Sequence, residues 1–386
     1  MKCRSSLHSK VESASTYPTS VIVIEGCRED VVSVTVSVPN KLDEALSPGW
    51  LTGALGMRFP GIEVRHVTPG PVVDRISTNA RFAVEYSGTH SDGPSPSLCI
   101  KGYFNEFGWM ARQVGEPEAY FYRDLAALAD VRTLRSVYAD VDPATRHGVV
   151  ITEDVVAQGG VFLDGRSVYT PEQTASSLSE LAKLHAATWL NPRWADPPWL
   201  GSRMGVAMDI WGEAQTVSKI SANHHGPNGR GMPVELRNPQ RLVDVYRDLT
   251  AALSAAELTS PWCVIHGDPH LGNLFLDASG RPCLLDWQLV QRGMWCVDVG
   301  YHIASTLTVE DRRASERDLL RHYLECLAGR GAEPPQWDTA WRALGRGIVH
   351  GLFLWSITTQ VEPGLIEILL HRMATAAADH DAFSAV

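Results

Sequence analysis

The stretch Val264–Val290, VIHGDPHLGNLFLDASGRPCLLDWQLV, is the most informative part of this 386-residue sequence. Its apolar beginning leads to Asp268 in His-Gly-Asp, and Asn273 follows five residues later. Two short apolar runs joined by an Ala-Ser-Gly turn then end at Asp286. Short strands that flank a turn bring their outer ends together, so the sequence predicts that these three polar residues cluster.

The predicted cluster combines two carboxylates with one carboxamide. Such oxygen ligands suit magnesium, which usually keeps waters and takes its remaining ligands from substrate phosphates. Phosphoryl transfer needs a positioned metal, a positioned hydroxyl and an acceptor for the hydroxyl proton. One aspartate can accept that proton while the asparagine and the other aspartate hold the metal. The same order of residues, with strands between the last two, occurs in protein kinases.

The secondary-structure pattern divides the rest of the chain. Alternating strands and polar turns dominate up to about Glu153, and amphipathic helices dominate afterwards. A helix is predicted over 41–55, another from Pro117, and a hairpin between the strand ending at Tyr86 and SLCIKGYF. We therefore predict an α+β protein with a small antiparallel-sheet N-lobe at 21–152 and a larger, mainly helical C-lobe at 153–386. Residues 1–20, rich in Ser and Thr, are predicted to be a disordered leader.

HGDPHLGNLF followed by LLDWQ resembles the aminoglycoside phosphotransferase and choline kinase superfamily, and within it the ecdysteroid kinase-like (CHK kinase-like) branch. The resemblance spans roughly Val64 to Thr359. Four further segments resemble the family: GEPEAYFYRDLA in the N-lobe helix, ITEDV between the lobes, LAKLHAATW in the first C-lobe helix and VDVGYHIA after the metal segment.

The resemblance implies a bilobal protein-kinase-like fold and roles for the matched positions. Asp268 would be the catalytic base, and Asn273 and Asp286 would hold Mg²⁺. ATP would be the phosphoryl donor, and the backbone from Thr152 to Val155, with Glu153 between them, would hydrogen-bond its adenine. The phosphoryl acceptor would be a hydroxyl of a small molecule.

A kinase also needs a lysine on the nucleotide, held by a helix glutamate. Of the six lysines, only Lys101 lies on a predicted strand after the alternating segment. Glu106, Glu116 and Glu118 are the candidates for its partner. Glu118 stands three residues before Phe121, hence on the buried face of the helix, and is the predicted partner.

The phosphate-binding turn has no Gly-x-Gly-x-x-Gly signature. The turn Ile-Ser-Thr-Asn-Ala, between Val72 and Ala83, is expected to replace it. Its small side chains and backbone donors make Ser77, Thr78 and Asn79 the predicted phosphate contacts.

Composition excludes several classes of protein. The formal net charge of −10 argues against nucleic-acid binding, which requires a basic surface. No apolar stretch reaches the roughly 20 residues of a membrane helix, and the N-terminus lacks a signal-peptide core. The seven cysteines are scattered without a Cys-x-x-Cys pair, which is typical of a reducing compartment. We therefore predict a cytoplasmic enzyme without a nucleic-acid or membrane partner.

Other interpretations remain open at this point. One is a nucleotide-binding pseudokinase scaffold that transfers no phosphate, although the presence of Lys101, Asp268, Asn273 and Asp286 argues against it, because inactive relatives usually lose such groups. A protein kinase is disfavoured because only eleven residues separate Asp286 from Asp298 and no Ala-Pro-Glu follows. Metal-dependent hydrolysis through His266 and His270 is a further alternative. Asp298 is expected to anchor the catalytic loop rather than to bind metal.

Overall fold

The computed structural model describes residues 36–87, 93–256 and 260–385. The predicted leader at 1–20 therefore lies outside the described residues, as does part of the polar turn after Tyr86. Among the described residues, no helix is both long and apolar enough to cross a bilayer.

The N-lobe contains a five-stranded antiparallel sheet. The N-lobe elements are α1 (Leu42–Ala45), α2 (Pro48–Gly56), β1 (Val64–Asp74), β2 (Thr78–Tyr86), β3 (Ser97–Gly102), α3 (Glu106–Met110), α4 (Glu116–Tyr120), α5 (Ala126–Ala129), β4 (Ser136–Val141) and β5 (Gly148–Glu153). The strand order in the sheet is β1-β2-β3-β5-β4, and the predicted pairing of the second and third strands is confirmed.

Alternation along the strands separates a packed face from a functional face. Phe82 and Ile100 are buried in the cluster that α2 covers. Because successive strand residues point to opposite faces, Lys101 projects away from this cluster, toward α4. The alternation of side chains along β3 thus places the charged residue Lys101 on the side of the C-lobe.

The single helix predicted over 41–55 is wrong. The structure has two helices, α1 and α2, with a break after Leu46. The side chain of Ser47 accepts a hydrogen bond from the backbone of Trp50, and Pro48 occupies the first helical turn. An N-cap followed by proline begins a new helix rather than continuing an old one.

The helix predicted from Pro117 is confirmed, with an irregular centre. The chain passes from α4 through a π-helical turn at Phe121–Leu125 into α5. Asp130, with φ of 51°, ends this helical run in the left-handed region.

The C-lobe is mainly helical, as predicted. Every residue of α10 is buried, and this helix packs against α6, α12 and α13. The C-lobe elements are β6 (Val161–Phe162), α6 (Pro171–Thr188), α7 (Val206–Trp211), α8 (Glu213–His225), α9 (Pro239–Ala256), β7 (Cys263–Ile265), β8 (Leu274–Leu276), β9 (Pro282–Leu284), β10 (Gln291–Gly293), α10 (Trp295–Thr306), α11 (Val309–Ala328), α12 (Trp337–Ile357) and α13 (Pro363–Asp379).

The predicted α+β architecture is confirmed by these two sets of elements. Strand β5 ends at Glu153, where the sequence predicts that the lobes join. The domain boundaries themselves stay a prediction. The hairpin predicted between Asn273 and Asp286 is also present as β8 and β9, with Leu274 opposite Leu284.

Candidate active site

The loop between β7 and β8 is anchored by Asp298 of α10. One carboxylate oxygen accepts the backbone N–H of His266 at 2.7 Å, and the other accepts that of Gly267 at 2.8 Å. His185 lies 3.1 Å from the first oxygen. Burial opposes ionisation, but these hydrogen bonds and the nearby histidines outweigh it and lower the pKa of Asp298. The predicted anchoring role of Asp298 is confirmed.

Gly267 is required at this point of the loop. Its φ is +83°, a region that favours glycine. A β-carbon there would also overlap the backbone carbonyl of Leu289. The loop can therefore turn tightly against the segment before β10 only without a side chain at this position.

His266 joins the loop to the segment that carries Asp286. Its Nε2 donates to the carbonyl of Leu285 at 3.0 Å, and its Nδ1 accepts the backbone N–H of Asp268 at 3.2 Å. Burial lowers the pKa of His266, so the ring is neutral, with one donor and one acceptor. Both ring nitrogens are engaged, which leaves none for a metal.

A zinc-type site finds no support in the part of the chain that the structure describes. There, no group of three or more His, Cys, Asp or Glu side chains is arranged to hold a metal ion. The Nδ1 of His270 accepts the backbone N–H of Gly272, and burial lowers the pKa of His270 to about 3. Hydrolysis through His266 and His270 is therefore disfavoured.

Two further buried histidines bind loop carbonyls. His302 Nδ1 donates to Pro269 at 2.7 Å, and His350 Nε2 donates to Gly267 at 2.8 Å. Burial lowers the pKa of both rings, to about 4 for His302. These two backbone carbonyls of the loop are thus satisfied by neutral side chains from α10 and α12.

Asp268 lies at the centre of this loop. Its Oδ1 accepts the hydroxyl of Tyr301 at 2.9 Å, and its Oδ2 accepts the amide of Asn273 at 3.1 Å. Burial raises the pKa of Asp268 to about 8, helped by the charge of Asp286 and opposed by these two hydrogen bonds. A carboxylate with a raised pKa is a stronger proton acceptor.

Asn273 and Asp286 stand at adjacent ends of the β8–β9 hairpin. The carbonyl of Asn273 accepts the backbone N–H of Leu285 at 3.0 Å, and Asp286 is the next residue. Asp286 has φ of 64° and ψ of 69°, a left-handed conformation that costs a non-glycine residue about 1 kcal/mol. The surroundings hold this strained backbone, as is common at functional sites.

Lys101 joins the sheet, α4 and the hairpin. Its ammonium lies 2.6 Å from Glu118 and 2.8 Å from Asp286. Burial disfavours the charge, but these carboxylates outweigh it and raise the pKa of Lys101 well above its usual value. Lys101 in turn lowers the pKa of Asp286 against the effect of burial. The structure therefore brings together Lys101 and Glu118, whereas Glu116 binds Arg146.

The aromatic residue after Asp286 fixes α4 in position. The ring of Trp287 stacks on Phe121 with centroids 3.7 Å apart, and its Nε1 donates to Thr133 at 2.9 Å. Because Phe121 is one helical turn from Glu118, this stack holds the glutamate toward Lys101.

The tip of the β1–β2 hairpin differs from the predicted turn. The turn lies at 75–77, whereas Thr78 and Asn79 are already part of β2. The hydroxyl of Thr78 donates to Asp74 at 2.6 Å, and the amide of Asn79 donates to Ser77 at 3.3 Å. Thr78 is almost completely buried, while Ser77 and Asn79 are half-buried. Their contact with phosphate stays a prediction.

Asn105 ties this tip to α3. Its amide donates to Asp74 at 2.6 Å and to the carbonyl of Arg75 at 3.0 Å, while its oxygen caps α3. Asn105 was not among the predicted site residues. An asparagine just before a helix is an N-cap signal, but its contact with the hairpin is a long-range feature.

The two predicted hinge residues have different surroundings. Glu153 is buried, pairs with Arg135 at 2.9 Å and accepts the amide of Gln158 at 2.7 Å, so its side chain is structural. Val155 packs with Phe275 in a small apolar cluster with Cys283. The adenine contacts predicted for this segment remain untested by these distances.

A comparison with models of protein families identifies the family of this chain. The model that describes the phosphotransferase enzyme family matches residues 111–338, more than half of the chain. The chain belongs to this family. It is therefore a phosphotransferase by family, and the predicted superfamily is confirmed, whereas the ecdysteroid kinase-like branch stays a prediction. No curated protein matches the sequence at a significant level.

Several solved structures are similar to this chain at low sequence identity. A choline kinase from Cryptosporidium parvum Iowa II has 12% identity and a TM-score of 0.49, with 88% of this chain and 95% of that chain covered. A choline kinase from Streptococcus pneumoniae has 12% identity and a TM-score of 0.46, with 85% of this chain and 98% of that chain covered. A macrolide 2'-phosphotransferase from Brachybacterium faecium has 15% identity and a TM-score of 0.43, with 87% of this chain and 98% of that chain covered.

Tyr301, His302 and His350 are the site residues that the sequence analysis missed. Tyr301 and His302 follow Asp298 by three and four residues, so helical spacing placed them on the same face. His350 lies on α12, far along the chain from the loop, and no local pattern connected it to Asp268.

Proposed function

We propose that this protein transfers a phosphoryl group from ATP to a hydroxyl of a small molecule, with magnesium as the metal. One observation carries the proposal: Lys101 is bound to both Glu118 and Asp286. This contact joins the sheet that would hold the nucleotide to the hairpin end beside Asp268. Protein kinases use a lysine–glutamate pair and a metal-binding aspartate in this combination.

The residues present fit a magnesium ion. Asp286 is ionised beside Lys101, and Asn273 lies at the neighbouring hairpin end with its amide nitrogen directed to Asp268. The amide oxygen of Asn273 and the carboxylate of Asp286 are the hard oxygen ligands that magnesium prefers. When bound, magnesium would neutralise charge on the nucleotide phosphates. Asn273 and Asp286 would hold it, and Lys101 would remain to bind phosphate oxygens.

Asp268 is the proposed proton acceptor. The acceptor hydroxyl would lie against Oδ2, the oxygen on the side of Asn273 at the hairpin end, whereas Oδ1 is directed to Tyr301 of α10. As the hydroxyl oxygen forms its bond to the γ-phosphorus, its proton passes to Asp268 and the bond from phosphorus to the ADP oxygen breaks. A carboxylate positioned beside the reacting hydroxyl serves as the general base for this transfer.

The nucleotide base is assigned to the segment after β5. The Asp154 backbone N–H already donates to Ser97 at 2.9 Å, so Val155, in its apolar cluster with Phe275, is the better candidate for contact with adenine. In the same proposal, the β1–β2 tip at Ser77 and Thr78 would cover the phosphates.

A small acceptor fits better than a protein acceptor. After Asp286 the chain forms a short 3₁₀ turn and then β10, which pairs with β7, before α10 begins at Trp295. This connection is largely buried, and its strand β10 pairs with β7, the strand that leads into the catalytic loop. It offers no extended segment on which a peptide substrate could dock.

The test is ATP turnover with a panel of hydroxylated metabolites. Asp268→Asn is expected to reduce kcat about 10²- to 10⁴-fold, the usual contribution of a general base. Asp318→Asn, at an exposed position on α11, is the matched control and should keep wild-type turnover. Near wild-type turnover of Asp268→Asn would refute the assignment of the base. Magnesium-dependent ATP binding without transfer to any acceptor would instead identify a pseudokinase scaffold.

A further inference from the structure

The hydroxyl of Tyr301 makes a direct contact with the proposed base. It donates to Oδ1 of Asp268 at 2.9 Å, while Asn273 donates to Oδ2 at 3.1 Å. The two donors come from different elements, because Asn273 belongs to the loop itself and Tyr301 to α10. A carboxylate held through both oxygens cannot rotate about its side-chain bonds without losing one of these hydrogen bonds.

The ring of Tyr301 is itself fixed by packing. It is 1% exposed and lies edge-on to His350, with centroids 5.9 Å apart. Gly351 leaves room for the ring, since a β-carbon at that position would overlap it. The hydroxyl therefore has a defined position before any substrate binds.

The same helix, α10, holds both the backbone of the catalytic loop and the side chain of the proposed base, Asp268. Asp298 binds the backbone at His266 and Gly267, and Tyr301, three residues later, binds the carboxylate of Asp268. Residues three apart lie on the same face of a helix, so these two contacts keep a fixed relation to each other. Rotation of the carboxylate relative to its own backbone is what Tyr301 prevents.

We infer that Tyr301 is a positioning residue that directs Oδ2 of Asp268 toward the acceptor hydroxyl. This inference rests on the proposed function, because it assigns Tyr301 an effect through the proposed base. Tyr301 is not assigned as a catalytic residue, because its effect would act through the carboxylate of Asp268. A misdirected carboxylate would reduce productive geometry without weakening nucleotide binding.

The first measurement is the steady-state kinetics of Tyr301→Phe, which keeps the ring and removes the hydroxyl. We expect kcat to fall about tenfold, as for loss of one hydrogen bond to a charged group. The KM for ATP should stay within about twofold, because nothing that binds the nucleotide is changed. Tyr86→Phe, which removes a hydroxyl bound to the Ser95 carbonyl at 3.1 Å in the N-lobe sheet, is the matched control and should leave kcat unchanged.

A double-mutant cycle separates positioning from a general structural effect. In the Asp268→Asn background, adding Tyr301→Phe should change kcat by less than about twofold, because the group that Tyr301 positions is already altered. A tenfold fall in both backgrounds would overturn the inference and show an independent structural role. A rise in the KM for ATP equal to the fall in kcat would also overturn it.

Failure of the inference is distinguishable from failure of the proposed function. If Asp268→Asn is strongly impaired and Tyr301→Phe turns over like the wild type, the positioning role is wrong and the base assignment stands. If Asp268→Asn itself turns over like the wild type, the base assignment is wrong and the inference falls with it. Thermal midpoints of all variants show whether any loss of kcat comes from unfolding.

Discussion

Replacing Asp298 by asparagine is expected to destabilise the protein and to impair turnover together. In the native structure the two carboxylate oxygens accept backbone N–H groups at 2.7 and 2.8 Å, inside a fully buried site. Asparagine has nearly the same shape but offers one acceptor oxygen and one NH₂ group. One backbone N–H would therefore lose its partner and face another donor.

The magnitude follows from these contacts. A hydrogen bond to a charged group is worth about 1.5–3 kcal/mol, and an unsatisfied buried donor costs about 1–3 kcal/mol more. We therefore expect the free energy of unfolding to fall by roughly 3–5 kcal/mol. With an unfolding entropy of about 2.1 cal/mol/K per residue, that loss corresponds to about 4–6 °C in the melting midpoint of a chain of this size.

Differential scanning calorimetry and ATP turnover are the assays for Asp298→Asn. Asp318→Asn makes the same chemical change at an exposed site and should melt like the wild type. The kcat of Asp298→Asn should fall at least tenfold at temperatures where the variant is folded, because the loop that carries Asp268 loses its anchor. A melting midpoint within 1 °C of the wild type would refute the reasoning, since a buried carboxylate with two backbone donors cannot be lost at no cost.

Two further predictions concern the buried ionisable groups. Glu118→Gln should lower kcat/KM for ATP about tenfold or more, because Lys101 is then held only by Asp286; steady-state kinetics should show no such loss for the exposed control Glu106→Gln. In acid, His302 should lower the stability of the protein, because the folded protein keeps this buried ring neutral while the unfolded chain protonates it. The pKa of His302 is about 4 in the folded protein, below the value near 6.5 of an unfolded histidine. Its contribution to the free energy of unfolding is therefore complete above pH 6.5 and is lost as pH falls toward 4. The loss of free energy of unfolding from this one group approaches about 3 kcal/mol. Between pH 7.5 and 4.5, the melting midpoint of His302→Gln should therefore decline less than that of the wild type. An equal decline would contradict the assignment of His302 as a neutral buried ring.

The sequence predicted the parts of the site that depend on local spacing. Asp268, Asn273 and Asp286 lie within one short stretch, and a two-stranded hairpin brings its ends together whatever the rest of the chain does. Lys101 was identifiable because strand alternation and a shortage of lysines left few alternatives. Glu118 was distinguished from Glu116 by the helical period that relates it to the buried Phe121.

Other features depend on contacts that no local pattern records. The hairpin turn at 75–77 is shorter than predicted because Thr78 is drawn into β2 and binds Asp74. The break between α1 and α2 depends on which of two competing signals prevails, helical periodicity or the cap at Ser47. His350 approaches the loop only because α12 packs along α10, and that packing is a property of the folded C-lobe.

Helix α10 is buried, and its polar residues are tolerated there because they form hydrogen bonds with the catalytic loop. A loop that turns tightly has backbone N–H and C=O groups with no partners of its own, and burial would make each of them costly. Asp298 supplies acceptors for two N–H groups and His302 supplies a donor for the carbonyl of Pro269. Because Tyr301 lies between these anchors on the same rigid helix, the orientation of the Asp268 carboxylate is set by the packing of the C-lobe rather than by the loop's own sequence.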